Sequence, residues 1–141
     1  MSRPESGFEI VEHTADVAIR GWAPDLPDLF RVMAQGLFHV IGGDATVPPT
    51  AKRTLHLEAE NPTELLHDWL ETLNALHQVH GELYTEFDPA LKGNRLAAVV
   101  RGGTLGAASG ELGTEVKAIT WHDLDIRPTD RGLECTVLLD I

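Results

Sequence analysis

At 141 residues, with a formal net charge of −11, 43% hydrophobic residues and one cysteine, the chain has the length of a single domain and the composition of a globular protein rather than a disordered one. The excess of acid argues against tight autonomous binding to nucleic acid, which draws on Lys/Arg–phosphate contacts, and fits a metal-binding protein or one that docks on a basic partner. No apolar run approaches the roughly 20 residues that span a bilayer, residues 1–7 lack the apolar segment of a secretory signal, and a lone Cys135 can form no intrachain disulfide, so a cytoplasmic protein without membrane association is expected.

After a polar leader, residues 8–11 read as a short strand. Residues 16–22 then alternate, with Val17, Ile19 and Gly21 on one side and Asp16, Ala18 and Arg20 on the other, which is the period of a half-buried strand. Asp16 therefore points away from the core at the strand entrance, where a side chain is held rigidly yet stays within reach of water and ions. Asp25-Leu26-Pro27-Asp28 is a helix start: a capping Asp, a proline in the first turn and an acid near the positive end. Leu29, Phe30, Met33, Leu37, Val40 and Ile41 follow at helical spacing until Gly42-Gly43 stops them. After a loop containing Pro48-Pro49, residues 53–59 alternate again, with Leu55, Leu57 and Ala59 inward and Thr54, His56 and Glu58 outward.

Asn61 caps a second helix, with Pro62 at its first position and Glu64 as a capping-box acid. Its stripe of Leu65, Leu66, Trp69, Leu70, Leu73 and Leu76 ends near His80-Gly81. Two amphipathic helices of this kind need a sheet to cover. Residues 84–87 and 95–101 read as strands. The Gly-rich stretch 102–113 lacks the Gly-Lys-Ser/Thr ending of a phosphate-binding loop and reads as an ordinary mobile loop. Residues 116–120 and 122–127 read as strands parted at Trp121, and 129–132 as a hairpin turn. The closing strand, 133–141, puts Leu133, Cys135, Val137, Leu139 and Ile141 on one face and Asp140 on the other. The expected fold is α+β: two helices on one face of a largely antiparallel β-sheet with a small β-rich insertion, in one domain over 1–141.

If the strand that Asp16 opens and the strand that Asp140 closes are neighbours, both carboxylates meet a carbonyl or terminal carboxylate of Ile141. Hard oxygen donors without thiolate favour calcium or magnesium over zinc, and an open, partly hydrated shell suits calcium's tolerant geometry better than magnesium's strict octahedron. From the residues alone the plainer reading stands ahead: Asp16 as a strand-entry turn residue and Asp140 as a surface acid. His67, His77 and His80 share one helix without a thiol cluster or the four-ligand set of a structural zinc site, and read as solvated surface. His122 shares a strand face with Leu124 and Ile126 and reads as buried and hydrogen-bonded. Glu115 and Lys117 alternate with Val116 and Ile119, face solvent, and offer an edge for a partner. There is no Gly-x-Ser-x-Gly elbow and no His-Glu-x-x-His helix, and Cys135 in mid-strand reads as an inert buried thiol.

His13-Thr14-Ala15-Asp16, the run Gly113-Thr114-Glu115-Val116-Lys117-Ala118-Ile119-Thr120-Trp121-His122 and the final Leu139-Asp140-Ile141 together resemble the archease family, small acidic proteins that assist RNA ligases of the RtcB type. The similarity extends over nearly the whole chain and includes a Leu-Leu-x-x-Trp-Leu helix at 65–70. It departs at Glu71-Thr72-Leu73, where the family usually has Asn-Glu-Leu. The resemblance implies a metal-binding α+β protein that is not itself an enzyme. It implies promotion of the ligase's guanylylation, support of repeated turnover in tRNA splicing or RNA repair, and contact with RNA only through the ligase. It also implies a calcium site at Asp16, Asp140 and a backbone oxygen of Ile141. His13 then reads as a turn residue or one that orients the ligands, since an imidazole nitrogen is a poor ligand for calcium, and Glu115 and Lys117 as a docking edge near the ligase's nucleotide site. Two other readings use the same residues or composition: a small metal-dependent phosphoester hydrolase in which Asp16 and Asp140 position an attacking water, and a general chaperone for RNA enzymes.

Overall fold

Two well-capped helices and a set of alternating strands determine the layers. The structure is a computed structural model that describes residues 4–12 and 15–141. Along the chain run β1 (Gly7–Glu12), β2 (Asp16–Ala23), α1 (Leu26–Gly42), β3 (Ala51–Glu58), α2 (Pro62–His80), β4 (Glu82–Lys92), β5 (Arg95–Thr104), a short 3₁₀ turn (Leu105–Ala107), β6 (Ala118–Ile119), β7 (Arg127–Thr129) and β8 (Gly132–Asp140). The strands form two antiparallel sheets, so the α+β class holds and the expected single sheet resolves into a pair. One is ordered β1-β2-β8-β6, with β7 also pairing β8, and the other is ordered β3-β5-β4. Among the described residues no helix is long and apolar enough to cross a membrane.

Both helix starts form as their sequences require. The Asp25 carboxylate accepts from Asp28 N–H at 3.0 Å and the Asn61 amide oxygen from Glu64 N–H at 2.9 Å, each satisfying one of the donors that a helix N-terminus leaves open. Gly81 ends α2 at φ +62, a left-handed conformation that costs a glycine little, and its N–H closes on His77 O at 2.9 Å. α1 is the seam of the molecule, packing on β1 and β2 of one sheet and on β4 of the other. Its Gly36 allows that approach, because a Cβ there would lie 2.6 Å from Ile19 Cγ2. The two helices are tied by the buried Trp69 indole, which donates to Phe30 O at 2.9 Å. Ile19, Leu29, Phe30, Met33, Leu65, Trp69, Val100, Val137 and Leu139 are fully buried in one continuous core.

The structure departs from the sequence reading in four places. β4 continues through Asp88-Pro89 to Lys92 rather than stopping at 87. β4 is an edge strand, where a proline forfeits no ladder bond, and Gly93-Asn94 then turn directly into β5. The Gly-rich stretch 102–113 is partly strand, because β5 runs to Thr104. Its remainder is pinned to the end of α1: Gly113 and Thr114 N–H close on Ile41 and Val40 carbonyls at 3.0 and 2.8 Å, and Thr46 and Ser109 exchange bonds of 2.7 and 2.9 Å. Residues 122–126 are not a strand, and pairing resumes only at Arg127. Asp123 takes φ 51, a conformation Asp tolerates, and the resulting turn takes His122 off the face of Leu124 and Ile126, leaving its side chain 71% exposed. Finally, His67 is not surface: it is 3% exposed between α2 and β6.

Where α2 leads into β4, a part-buried ion pair joins β3 to β4. Arg53 donates from Nε and Nη2 to Glu82 at 2.9 and 3.2 Å, and the Tyr84 hydroxyl donates to Glu82 Oε1 at 2.8 Å. The Arg53 hydrogen bond holds the Glu82 carboxyl below its ordinary value, Tyr84 adds to this, and burial opposes both. Burial, then the bond to Glu82, pushes the Tyr84 phenol up. A depressed carboxyl contributes stability that is present above its unfolded pKa and is lost as pH falls from about 4.3 through the lower folded value. Glu82→Gln is therefore expected to flatten the acid limb of stability against pH in that window. Tyr84→Phe should cost about 2 kcal/mol in urea unfolding at neutral pH, the worth of a buried hydrogen bond to a charged group.

Candidate metal centre

The pairing of β2 with β8 sets the site. Its register places Asp16 opposite Asp140, Val17 opposite Leu139 and Ile19 opposite Val137, so the apolar residues of both strands share the core face and the two acids share the other. Directly opposed residues of an antiparallel pair hold their Cβ atoms about 4.5–5.5 Å apart, and like charges there destabilise the sheet. Asp140 is exposed and Asp16 half-buried. The Asp16 Oδ1 atom is buried and, among the described residues, has no hydrogen-bond partner. An ionised carboxylate oxygen withdrawn from water without a donor is unfavourable. The described ion pairs give neither acid a cationic partner. Two facing carboxylates with an orphaned oxygen fit a cation between them, and oxygen donors of this kind suit a hard divalent ion.

Ile141 follows β8 and packs its half-buried side chain on the core, which anchors its backbone oxygens one residue from the Asp140 carboxylate. β6 closes the other side: Ala118 pairs with Asp140 and Lys117 N–H donates to Asp140 O at 2.8 Å. Glu115 and Lys117 are exposed, as expected, beside a buried Val116. His13 lies outside the described residues. His122, in the turn, is apart from the pair. Cys135 is buried on the apolar face, and burial pushes its thiol up to about 12, so it offers no thiolate.

Three residues that matter to the site escape a reading by hydrophobic stripe. Asn74 Nδ2 and Gln78 Nε2 donate to Val116 O at 2.9 and 3.1 Å, and His67 Nε2 bonds Ile119 O at 2.8 Å. These α2 side chains hold the 116–119 segment against β8 and so fix the strand that flanks Asp140. The signal was their spacing: 67, 74 and 78 follow one helical face beside the leucines.

The sheet face that carries the acids is open. Next to the Asp16–Asp140 row lies an apolar row, Val11 opposite Ala18 and Ala18 opposite Leu138, with Val11 41% exposed. Beyond it Arg20 bridges Glu9 and Glu134 at 3.2 and 2.6 Å. In chelator-treated protein, Asp16→Asn is expected to raise stability by roughly 0.5 kcal/mol by relieving the opposed charges. Thermal unfolding without divalent ions checks this, and a loss of stability would show that the pair is not repulsive.

The Archease protein family (MTH1598/TM1083) model matches residues 8–141. Protein archease of Methanopyrus kandleri is 35% identical over 138 residues, covering 95% of this chain and 99% of its own. Protein archease of Pyrococcus abyssi is 35% identical over 129 residues, covering 89% and 91%. The solution structure of Methanobacterium thermoautotrophicum protein 1598 superposes with a TM-score of 0.82 at 28% identity over 96% of this chain and 99% of that one. The crystal structure of a Thermotoga maritima archease, described as a possible chaperone, superposes at 0.67 and 22% identity over 100% and 98%, a likeness of fold. By the match over residues 8–141 and by these relatives, the chain belongs to the archease family.

Proposed function

We propose that this protein is a non-enzymatic, calcium-binding activator of an RtcB-type RNA ligase, promoting the ligase's guanylylation and its repeated turnover in tRNA splicing or RNA repair. The observation that carries the reading is the Asp16–Asp140 pair, whose Asp16 Oδ1 has no hydrogen-bond partner among the described residues, set at the end of a sheet in a member of the archease family. Asp16, Asp140 and a backbone oxygen of Ile141 hold the ion. Calcium bound there would supply positive charge between the two facing carboxylates. The chain's own residues do the rest: β6 and the α2 side chains behind it fix Asp140, Val11 and Leu138 offer apolar contact, and Glu115 and Lys117 border the same end of the sheet. With a net charge of −11, the molecule is steered toward the basic surface of an RNA-binding enzyme rather than toward RNA itself.

Mixing the protein with its cognate ligase, GTP, divalent metal and cleaved RNA is expected to raise multiple-turnover joining above ligase alone, and Asp16→Ala to abolish most of that gain while its far-UV dichroism stays native. No gain with the wild type would sink the proposal. Metal-dependent phosphoester turnover by the isolated protein, lost in Asp16→Ala, would replace it with the hydrolase reading. Equal protection of unrelated RNA enzymes from aggregation would favour the chaperone reading, to which the description of the Thermotoga protein lends support.

Lys117→Glu probes the docking edge separately. Its side chain is exposed and only its backbone bonds Asp140, so folding should be unchanged while the ligase's half-saturating activator concentration rises. Unaltered activation would remove this edge from the interface.

A further inference from the structure

A second constellation lies on α2, away from the acid pair. The His67 ring is 3% exposed, and its Nε2 sits 2.8 Å from Ile119 O. A carbonyl only accepts, so Nε2 bears the proton and donates, and the neutral ring then presents its Nδ1 lone pair. That lone pair faces Asp68 Oδ1 at 3.3 Å and Glu71 Oε2 at 3.4 Å. One ligand atom from each of the three residues lies within 4.8 Å of the others. Ionised carboxylates accept and do not donate, so with the ring in its neutral form three electron-pair donors converge on one point. The ring cannot turn away. Trp121 stacks on it, with centroids 3.6 Å apart and planes at 14°, and the Ile119 bond fixes its other edge.

We propose that His67, Asp68 and Glu71 form a second divalent-cation site, specific for a borderline transition metal of the zinc class. An imidazole locked by an N–H bond to a backbone carbonyl, its second nitrogen aimed outward, is the arrangement that metal-binding histidines adopt. One nitrogen and two carboxylate oxygens suit zinc or cobalt and disfavour calcium, which takes oxygen. His67 and Glu71, four residues apart, share a helix face. Asp68 and Glu71 are part-exposed and exposed, leaving the outer side of the ion to water. Because the same His67 ring holds Ile119, which pairs with Leu139 next to Asp140, an ion here braces the strand that flanks the first centre.

The test uses the full chain in an Asp16→Asn/Asp140→Asn background, so that the acid pair contributes no binding, at neutral pH with Zn²⁺ or Co²⁺ alone. One equivalent of Co²⁺ is expected to bind with visible d–d absorption and to quench a share of tryptophan emission that is missing in Trp121→Phe. The double substitution Asp68→Asn/Glu71→Gln, at carboxylates outside the core, should weaken Zn²⁺ binding roughly tenfold or more without changing the dichroism. Three results would overturn the site: no stoichiometric binding up to about 1 mM metal, binding unaltered by the double substitution, or nitrogen NMR showing His67 protonated at both nitrogens whether or not Zn²⁺ is present. The last would establish an imidazolium paired with Asp68 and Glu71.

Discussion

The register of β2 against β8 is the constraint on which the functional part of this molecule depends. It brings together two segments separated by nearly the whole chain and places Asp16 opposite Asp140. The same register stacks Val17, Ile19, Leu139 and Val137 into the core. A slip of one residue would turn the core-facing Cys135, Val137 and Leu139 of β8 outward, so burial holds the two acids in a juxtaposition that their own charges oppose. The facing of two like charges is thereby built into the fold, and the proposed calcium ion would offset it.

The remaining elements act on that register in succession. α1 lies close on β2 because Gly36 presents no side chain to Ile19. α2 docks on α1 through Trp69 and reaches over to β6 through His67, Asn74 and Gln78. β6, only two residues long, flanks Asp140 and is held by its ladder with β8 together with those side chains on it and on Val116 before it. The second sheet, with its buried Arg53–Glu82–Tyr84 cluster, supports α1 from the other side. On the outer face of β2 and β8, Asp140 and Val11 stay exposed and within reach of a partner.

Much of this was legible in the residues. The Asp25 and Asn61 caps, the leucine stripe of α2 and the alternation of β2, β3 and β8 each carry one dominant signal, and each formed as read. Asp16 and Asp140 were placed on the solvent side of their strands by alternation alone, but their meeting required the long-range pairing, which no local pattern encodes. The errors cluster where a local signal competes with tertiary context. Asp88-Pro89 looked like a break until the edge position of β4 removed the need for an N–H. His122 kept strand phase with Leu124 and Ile126 until the turn at Asp123 intervened. His67, polar and next to a leucine stripe, reads as solvated because nothing nearby in sequence announces the Ile119 carbonyl that it satisfies.

The central claim, that opposed carboxylates at the β2–β8 end form a hard-cation site, is tested most directly by a crystal structure determined with millimolar calcium. The account predicts an ion bridging Asp16, Asp140 and a backbone oxygen of Ile141 at about 2.3–2.6 Å, with Asp16 Oδ1 among its ligands. The contrary result is an ion-free pair in which Asp16 Oδ1 is hydrogen-bonded to an ordered water or to a neighbouring donor.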